Sequence, residues 1–300
     1  MVTASENLGI LIDSLTKELP AAMTMWRFAA LMPTDSIPWP WLREITVARH
    51  PEIAGGAAEI EILERRLIEA RLLMQTPTPA IAQMPAGAAT YVRQILDASS
   101  EQQLGRELRA FVWQRLQDFK ATRKRLLDEA LRDANGGREV TAWTVPSPAV
   151  AVASAVDNKL VQAFYNGDGS FSIGLREGAM WEESCLKKFC KLQFESSMPD
   201  SIEWALRTGF VPHFDLKSAQ DRVTRIYESD PENRQGGIIH GLLLLNSAHH
   251  RAGQGSWRGA WGYACAAVDV FAKLREMAPN DVDVLELLKE AENCRYLYDD

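Results

Sequence analysis

The chain has 300 residues, 46% hydrophobic and 24% charged, with a formal net charge of -7. That composition fits a globular protein of roughly one to three domains and excludes wholesale disorder. The acidic balance argues against a nucleic-acid coat, which needs a basic surface, and cysteines at 185, 190, 265 and 294 read as reduced cytoplasmic thiols rather than a disulfide framework.

The opening Met1-Val-Thr-Ala-Ser-Glu-Asn lacks the basic start and apolar run of a signal peptide. The densest apolar run, Ile238 to Leu245, is too short to cross a bilayer, so the expectation is a soluble intracellular chain with no membrane span. Ser5 reads as an N-cap for a helix whose stripe is Leu8, Leu11, Ile12, Leu15 and Leu19, ended by Pro20. Met23, Trp26, Phe28 and Leu31 mark a second short helix. The run Ile37-Pro-Trp-Pro-Trp predicts a non-helical turn, because each proline removes a backbone donor and restrains its predecessor. Trp39 and Trp41 either pin that turn to the core or form an exposed aromatic docking site.

After Gly55-Gly56, the spacing of Ile60, Leu63, Leu67, Ala70 and Met74 gives a coiled-coil-like seam of about two heptads. The stretch from Thr76 to Ala89 holds Pro77, Pro79 and Pro85 and predicts an irregular connector. A long amphipathic helix follows from Ser100 to Ala134. Its seam is Leu104, Leu108, Phe111, Val112, Leu116, Phe119, Leu126 and Ala130, interrupted by Arg123. The two seams predict an antiparallel hairpin or, where apolar surface is left over, pairing with a second copy as a homodimer. Between Leu104 and Arg132 eight basic residues face four acids, whereas residues 200–300 hold eleven Lys/Arg and sixteen Asp/Glu. Those opposite balances favour mutual attraction within or between chains. Contact of the basic helix with nucleic acid is the weaker reading, since such residues are usually a helix's wet face.

Between Glu139 and Leu175 the pattern turns to β. Val140 to Val145, Ala149 to Val156, Lys159 to Tyr165 and Ser170 to Leu175 are strand-like, with turn residues at Asp157-Asn158 and Asn166-Gly-Asp-Gly169. They predict a small antiparallel meander of three or four strands. Asn166 to Glu177 has the oxygen spacing of a calcium loop, but Phe171 occupies the sixth position, where the bend needs Gly. A hairpin turn accounts for the same residues.

Helical spacing returns from Met180, punctuated by Pro199, Pro212, Pro231 and Pro279. Two segments 48 residues apart, Arg225 to Asn233 and Lys273 to Asp281, each end a helix with a proline and an acidic or amide residue. Ala267, Phe271, Leu274 and Pro279 then fall at second-helix spacings, and the last third resembles tetratricopeptide-like helical hairpins. The period exceeds that family's, and its first-helix Trp, Gly and Tyr positions are not matched here. The resemblance implies stacked helix pairs that present a groove to a peptide or partner. An ordinary orthogonal helix bundle fits the same residues.

There are only five histidines, His50, His213, His240, His249 and His250. His240 and His249 are nine apart, on opposite sides of a helix, and His249 and His250 diverge as neighbours, so no metal site is expected. Cys185 and Cys190 are five apart and read as small buried apolar residues. Phosphate-loop, dinucleotide and nucleophile-elbow motifs do not occur. The expectation is a predominantly α-helical α+β protein: an N-terminal helical hairpin or bundle over 1–136, a small β-meander over 137–178 and a helical, repeat-like region over 179–300. Its expected role is a cytoplasmic protein–protein interaction module, an adaptor or assembly subunit, with no cofactor and no metal. The alternative is an enzyme whose site is assembled where the sheet meets the C-terminal helices, with Asp168, Glu177, His213 and His240 as candidates.

Overall fold

Pro20, which closes the first helical stripe, also opens the next helix. A computed structural model describes residues 9, 12, 14–53, 57–95, 98–134, 161–165, 171–175 and 177–299, and the chain divides into Met1–Leu186 and Lys187–Asp300. Residues 14–18 are helical (α1), and α2 (Pro20–Ala30) starts with Pro20 in its first turn. Proline is tolerated there because the first-turn N–H groups have no intrahelical partner. Eight residues of α2 are buried, among them Trp26 and Phe28. A helix that is apolar nearly all round belongs in a core, and the four helices that follow α2 in the chain all pack on it.

The same tolerance corrects the expected turn at Ile37 to Trp41. Only Ile37–Pro38 is extended (β1), and α3 (Trp39–Arg49) begins at once with Pro40 in its first turn. Trp39 and Trp41 are buried, which removes the exposed-docking alternative. After a 3-10 turn at Pro51–Ile53, α4 (Ala57–Glu69) carries the first seam. That seam is shorter than the spacing implied: Leu63 and Leu67 are buried, but Met74 is exposed and lies in a strand.

The Thr76–Ala89 stretch is not wholly irregular. Met74–Gln75 (β2) and Ile81–Gln83 (β3) join β1 in a small antiparallel sheet, order β1-β3-β2, with Ile37 opposite Ala82 and Met74 opposite Gln83. Pro38 sits on an edge strand, where a missing donor is harmless. Two helices follow, α5 (Ala86–Ile95) and α6 (Ala98–Ala134). In α6, Leu104, Leu108, Val112, Leu116, Phe119 and Leu126 are buried.

The expected hairpin of α4 with α6 is replaced by a bundle in which both lie on α2. Helix α3 is ion-paired to each, through Arg43–Glu64 (2.5 Å) to α4 and through Arg115–Glu44 (3.1 Å) and Arg49–Glu107 to α6. Both seams are therefore closed inside one unit.

Strands β4 (Val161–Tyr165) and β5 (Phe171–Leu175) form an antiparallel hairpin against α6, with Val161 opposite Leu175 and Tyr165 opposite Phe171. The predicted strands at 140–145 and 149–156, and the calcium-like turn at 166–170, lie outside the described residues. The chain is thus predominantly helical α+β, with strands in two places rather than one.

Helix α7 (Glu177–Phe194) carries the division between the units. The second unit continues with α8 (Pro199–Thr208), α9 (His213–Ser229), α10 (Arg234–Gly253), α11 (Trp257–Met277) and α12 (Val282–Leu297). Helix α10 is central and packs on α8, α9, α11 and α12. Its approach to α11 is set by two glycines one turn apart. A Cβ at Gly237 would lie 2.8 Å from Leu274 Cδ2, and one at Gly241 would lie 2.4 Å from Phe271 Cζ. The start of α12 is tied to its neighbours by Arg207–Asp283 (2.7 Å) and Arg234–Asp281 (2.5 Å), and Asp281 caps α12 by accepting from the Val284 amide.

Candidate functional site

The candidate residues from the sequence do not assemble into one centre. Asp168 lies outside the described residues, and Glu177 is the first residue of α7, in the first unit. His213 and His240 are both in the second unit but have separate partners. His213 stacks on His250, whereas His240 Nε2 sits 3.5 Å from Thr224 Oγ1 and its ring packs against Tyr227. Since His250 is ten residues beyond His240 on α10, the two environments are about 15 Å apart along the helix axis. Burial lowers the pKa of both His213 and His240 below the ordinary histidine value. No carboxylate hydrogen-bonds either one among the described residues, so neither has the orienting partner of a general base. Among the described residues no group of three or more His, Cys, Asp or Glu is arranged to hold a metal ion.

A second cluster joins the end of α10 to the end of α12. His249 Nδ1 is 2.8 Å from the Tyr298 hydroxyl, and His249 Nε2 is 3.6 Å from Cys294 Sγ. A cysteine beside a histidine invites a nucleophilic reading, but a reactive thiol needs a depressed pKa. Here burial pushes the Cys294 thiol up to about 11. The Cys294–His249–Tyr298 group is a set of structural contacts that fixes the last turn of α12 against α10.

That fixing presents an aromatic surface. Tyr298 packs against Trp257 at the start of α11, with ring centroids 5.9 Å apart. Trp257 is 52% and Trp261 40% exposed, one turn apart on α11, and Tyr296 (82%) and Leu297 (66%) are exposed at the same end of the α11–α12 pair. Along α11 the order of size is inverted. Ala260, Ala264 and Ala267 are fully buried, so α11 lies close to its neighbours, while the two tryptophans stay outside. Tryptophan is highly buried on average, so two neighbouring tryptophans at this exposure are an uncommon feature of a protein surface. The signal for this existed in the sequence, as two tryptophans four apart beside three in-register alanines. Seam-counting alone does not say which of the two sets faces in.

The basic helix α6 is less free than its charge count implies. Arg115 bonds Glu44 and Glu182, Arg125 bonds Glu129, and Glu107 on the same helix answers Arg49 of α3. No helix among the described residues is long and apolar enough to cross a membrane. Comparison of the chain with protein-family models, curated proteins and solved structures finds no match.

Proposed function

We propose that this chain is a protein-interaction module, an adaptor or assembly subunit, whose second unit takes a protein partner on the aromatic surface at the end of the α11–α12 pair. The observation that carries this reading is the exposure of Trp257 and Trp261 beside Tyr298. Tryptophan and tyrosine are the residues that interface centres favour, because each covers a large apolar area while a polar atom stays available for a hydrogen bond.

The helix order supports the repeat-like part of the reading. Helix α10 packs on the two helices before it and the two after it, as a member of a stacked array does. Phe271 and Leu274, two of the residues that carry the tetratricopeptide-like resemblance, point into Gly241 and Gly237 of the preceding helix. One departure is that α8 and α9 each pack on α10 rather than chiefly on each other.

The test is a chain carrying Trp257→Ser and Trp261→Ser, used as bait beside the wild type in the native host, with bound proteins identified by mass spectrometry. Both side chains are exposed, so the double variant should keep its helical circular dichroism. A partner recovered by the wild type and lost by the variant is the expected result. Sedimentation of the two proteins asks whether that partner is a second copy of the chain. Equal recovery of every bound protein by both baits removes this surface as the docking site.

A further inference from the structure

We infer that the first unit holds a binding site for a phosphoryl group, either free phosphate or a small phosphomonoester, where the ends of α2 and α3 meet the start of α6. The site lies in a different unit from the aromatic surface and does not depend on it. It is a cavity of about 260 Å³ lined by Thr24, Arg27, Arg49, His50, Ser100 and Gln103, with Leu104 as its apolar side. No carboxylate lines it among the described residues.

The group that asks for a ligand is Arg27. Its Nε is buried and has no hydrogen-bond partner among the described residues. Arg27 itself is half-buried, and a buried donor nitrogen left without a partner costs free energy that a ligand accepting from it would recover. The other basic groups here are held in place. Arg49 is paired with Glu107, which also accepts from Gln103 at 3.1 Å. His50 is fixed on both sides of its ring, Nδ1 at 2.9 Å from Glu52 and Nε2 at 2.8 Å from Thr24 Oγ1. These contacts orient the wall of the cavity and leave Arg27 as its unsatisfied donor.

The direction of the donors selects the ligand. They come from three helices: Thr24 and Arg27 on α2, Arg49 and His50 at the end of α3, and Ser100 and Gln103 in the first turns of α6. The start of a 37-residue helix adds the positive end of its dipole, while the last turns of α2 and α3 bring their negative ends, which Arg27 and Arg49 offset. Glu101 lies in that same turn but does not line the cavity. With Thr24, His50 and Gln103 already hydrogen-bonded to other groups, the Arg27 guanidinium beside the first turns of a helix is what a phosphoryl group would meet here, a charged fork next to backbone N–H donors. The volume is below the ~300–1,000 Å³ of pockets that enclose larger ligands, which limits the organic part to a few atoms.

The experiment is calorimetric titration of the full chain and of Arg27→Gln with inorganic phosphate, with glycerol phosphate and with acetate at constant ionic strength. The expected result is saturable binding of the two phosphoryl compounds by the wild type and at least tenfold weaker binding by R27Q. Tighter binding of glycerol phosphate marks the ligand as a phosphomonoester, and tighter binding of inorganic phosphate marks it as free phosphate. A melting scan adds a second readout. Without phosphate, R27Q should melt no lower than the wild type, because the change removes a buried Nε donor that has no partner among the described residues; with phosphate it should melt lower. Should R27Q not fold, Gln103→Glu, at an exposed position, places a carboxylate at the rim and should weaken phosphate binding at least tenfold. Wild-type and variant chains that respond to phosphate equally, or a wild type that takes acetate as well as phosphate, overturn the assignment.

Discussion

The imidazole of His213 lies flat against that of His250, with ring centroids 3.6 Å apart and planes 8° from parallel. His213 Nδ1 and His250 Nε2 are buried without hydrogen-bond partners among the described residues. Burial lowers the His213 pKa, and His250, Arg251 and Lys217 push it the same way by charge. His240 is lowered by its burial, against a weaker opposite effect of Glu228. In the unfolded chain both rings titrate near the ordinary value of about 6.5. Between the lowered folded values and that value the unfolded state binds more protons, so stability is complete above about pH 6.5 and falls as the pH drops below it. The melting temperature should therefore decline with acidification from pH ~7.5 to ~5.5. His213→Phe, which keeps a ring in the stack, should flatten that decline. An unchanged slope in the variant contradicts the assignment.

Gly241 and Gly262 make a matched pair on facing helices. A Cβ at Gly241 would fall 2.4 Å from Phe271 Cζ, and Phe271 is fully buried and has nowhere to turn. Gly241→Ala should destabilise the chain by about 1–3 kcal/mol, the usual effect of overpacking a core. Gly262 is exposed within α11, and nothing lies within 4 Å of its Cβ position. Gly262→Ala should stabilise by about 0.5–1 kcal/mol, through the lower backbone entropy of the unfolded chain. Denaturant midpoints of both variants check the pair. Phe271→Leu in the Gly241→Ala background should recover part of the loss, because the two sites touch.

Periodicity made the long elements legible. The α6 seam from Leu104 to Leu126 is buried as its spacing requires except at Phe111, which is half-buried, and the strands ending at Tyr165 and Leu175 pair as their turn residues predict. What escaped was set by partners distant in sequence. Two- and three-residue strands such as Ile37–Pro38 and Ile81–Gln83 are too short for alternation to show. Pro40 looks like a helix breaker until its position in the first turn is known. The His213–His250 stack joins residues on different helices, and no spacing rule brings them together. The cavity beside Arg27 likewise draws on three helices, and each of its basic residues reads alone as a solvated charge or a favourable group at a helix C-terminus.

Leu67 and Leu116 decide what the two N-terminal seams are for. Both are fully buried within the unit, so neither is left over to bind a second copy. Leu67→Glu or Leu116→Glu should unfold this unit, since each buries a carboxylate with no partner in place of a packed side chain. Leu116→Ala alone should remove about 2–5 kcal/mol. Sedimentation with circular dichroism separates the outcomes: loss of helical signal is expected, and a folded monomer formed from a wild-type dimer would restore the seams as a subunit interface.

Arg71 closes helix α4 in a conformation that suits glycine. Its φ of 57° is left-handed, unlike that of any other described non-glycine residue. The Arg71 amide donates to the Ile68 carbonyl at 2.9 Å, and the Leu72 amide donates to the Leu67 carbonyl at 2.9 Å. Those two bonds make a Schellman ending, and the burial of Leu67 and Leu72 supplies the apolar contact that accompanies it. An L-residue at that position is strained by its Cβ against the following carbonyl, at a cost of roughly 1 kcal/mol. Arg71 forms no ion pair among the described residues, and its side chain lies on the surface. Arg71→Gly should consequently stabilise the chain by up to about 1 kcal/mol, and Arg71→Asn by less, while Arg71→Val should destabilise it because a β-branched side chain tolerates this conformation worst. Urea midpoints of the three variants at equal m-value test the order. A glycine variant less stable than the wild type would mean that the Arg71 side chain holds this corner through contacts worth more than its strain.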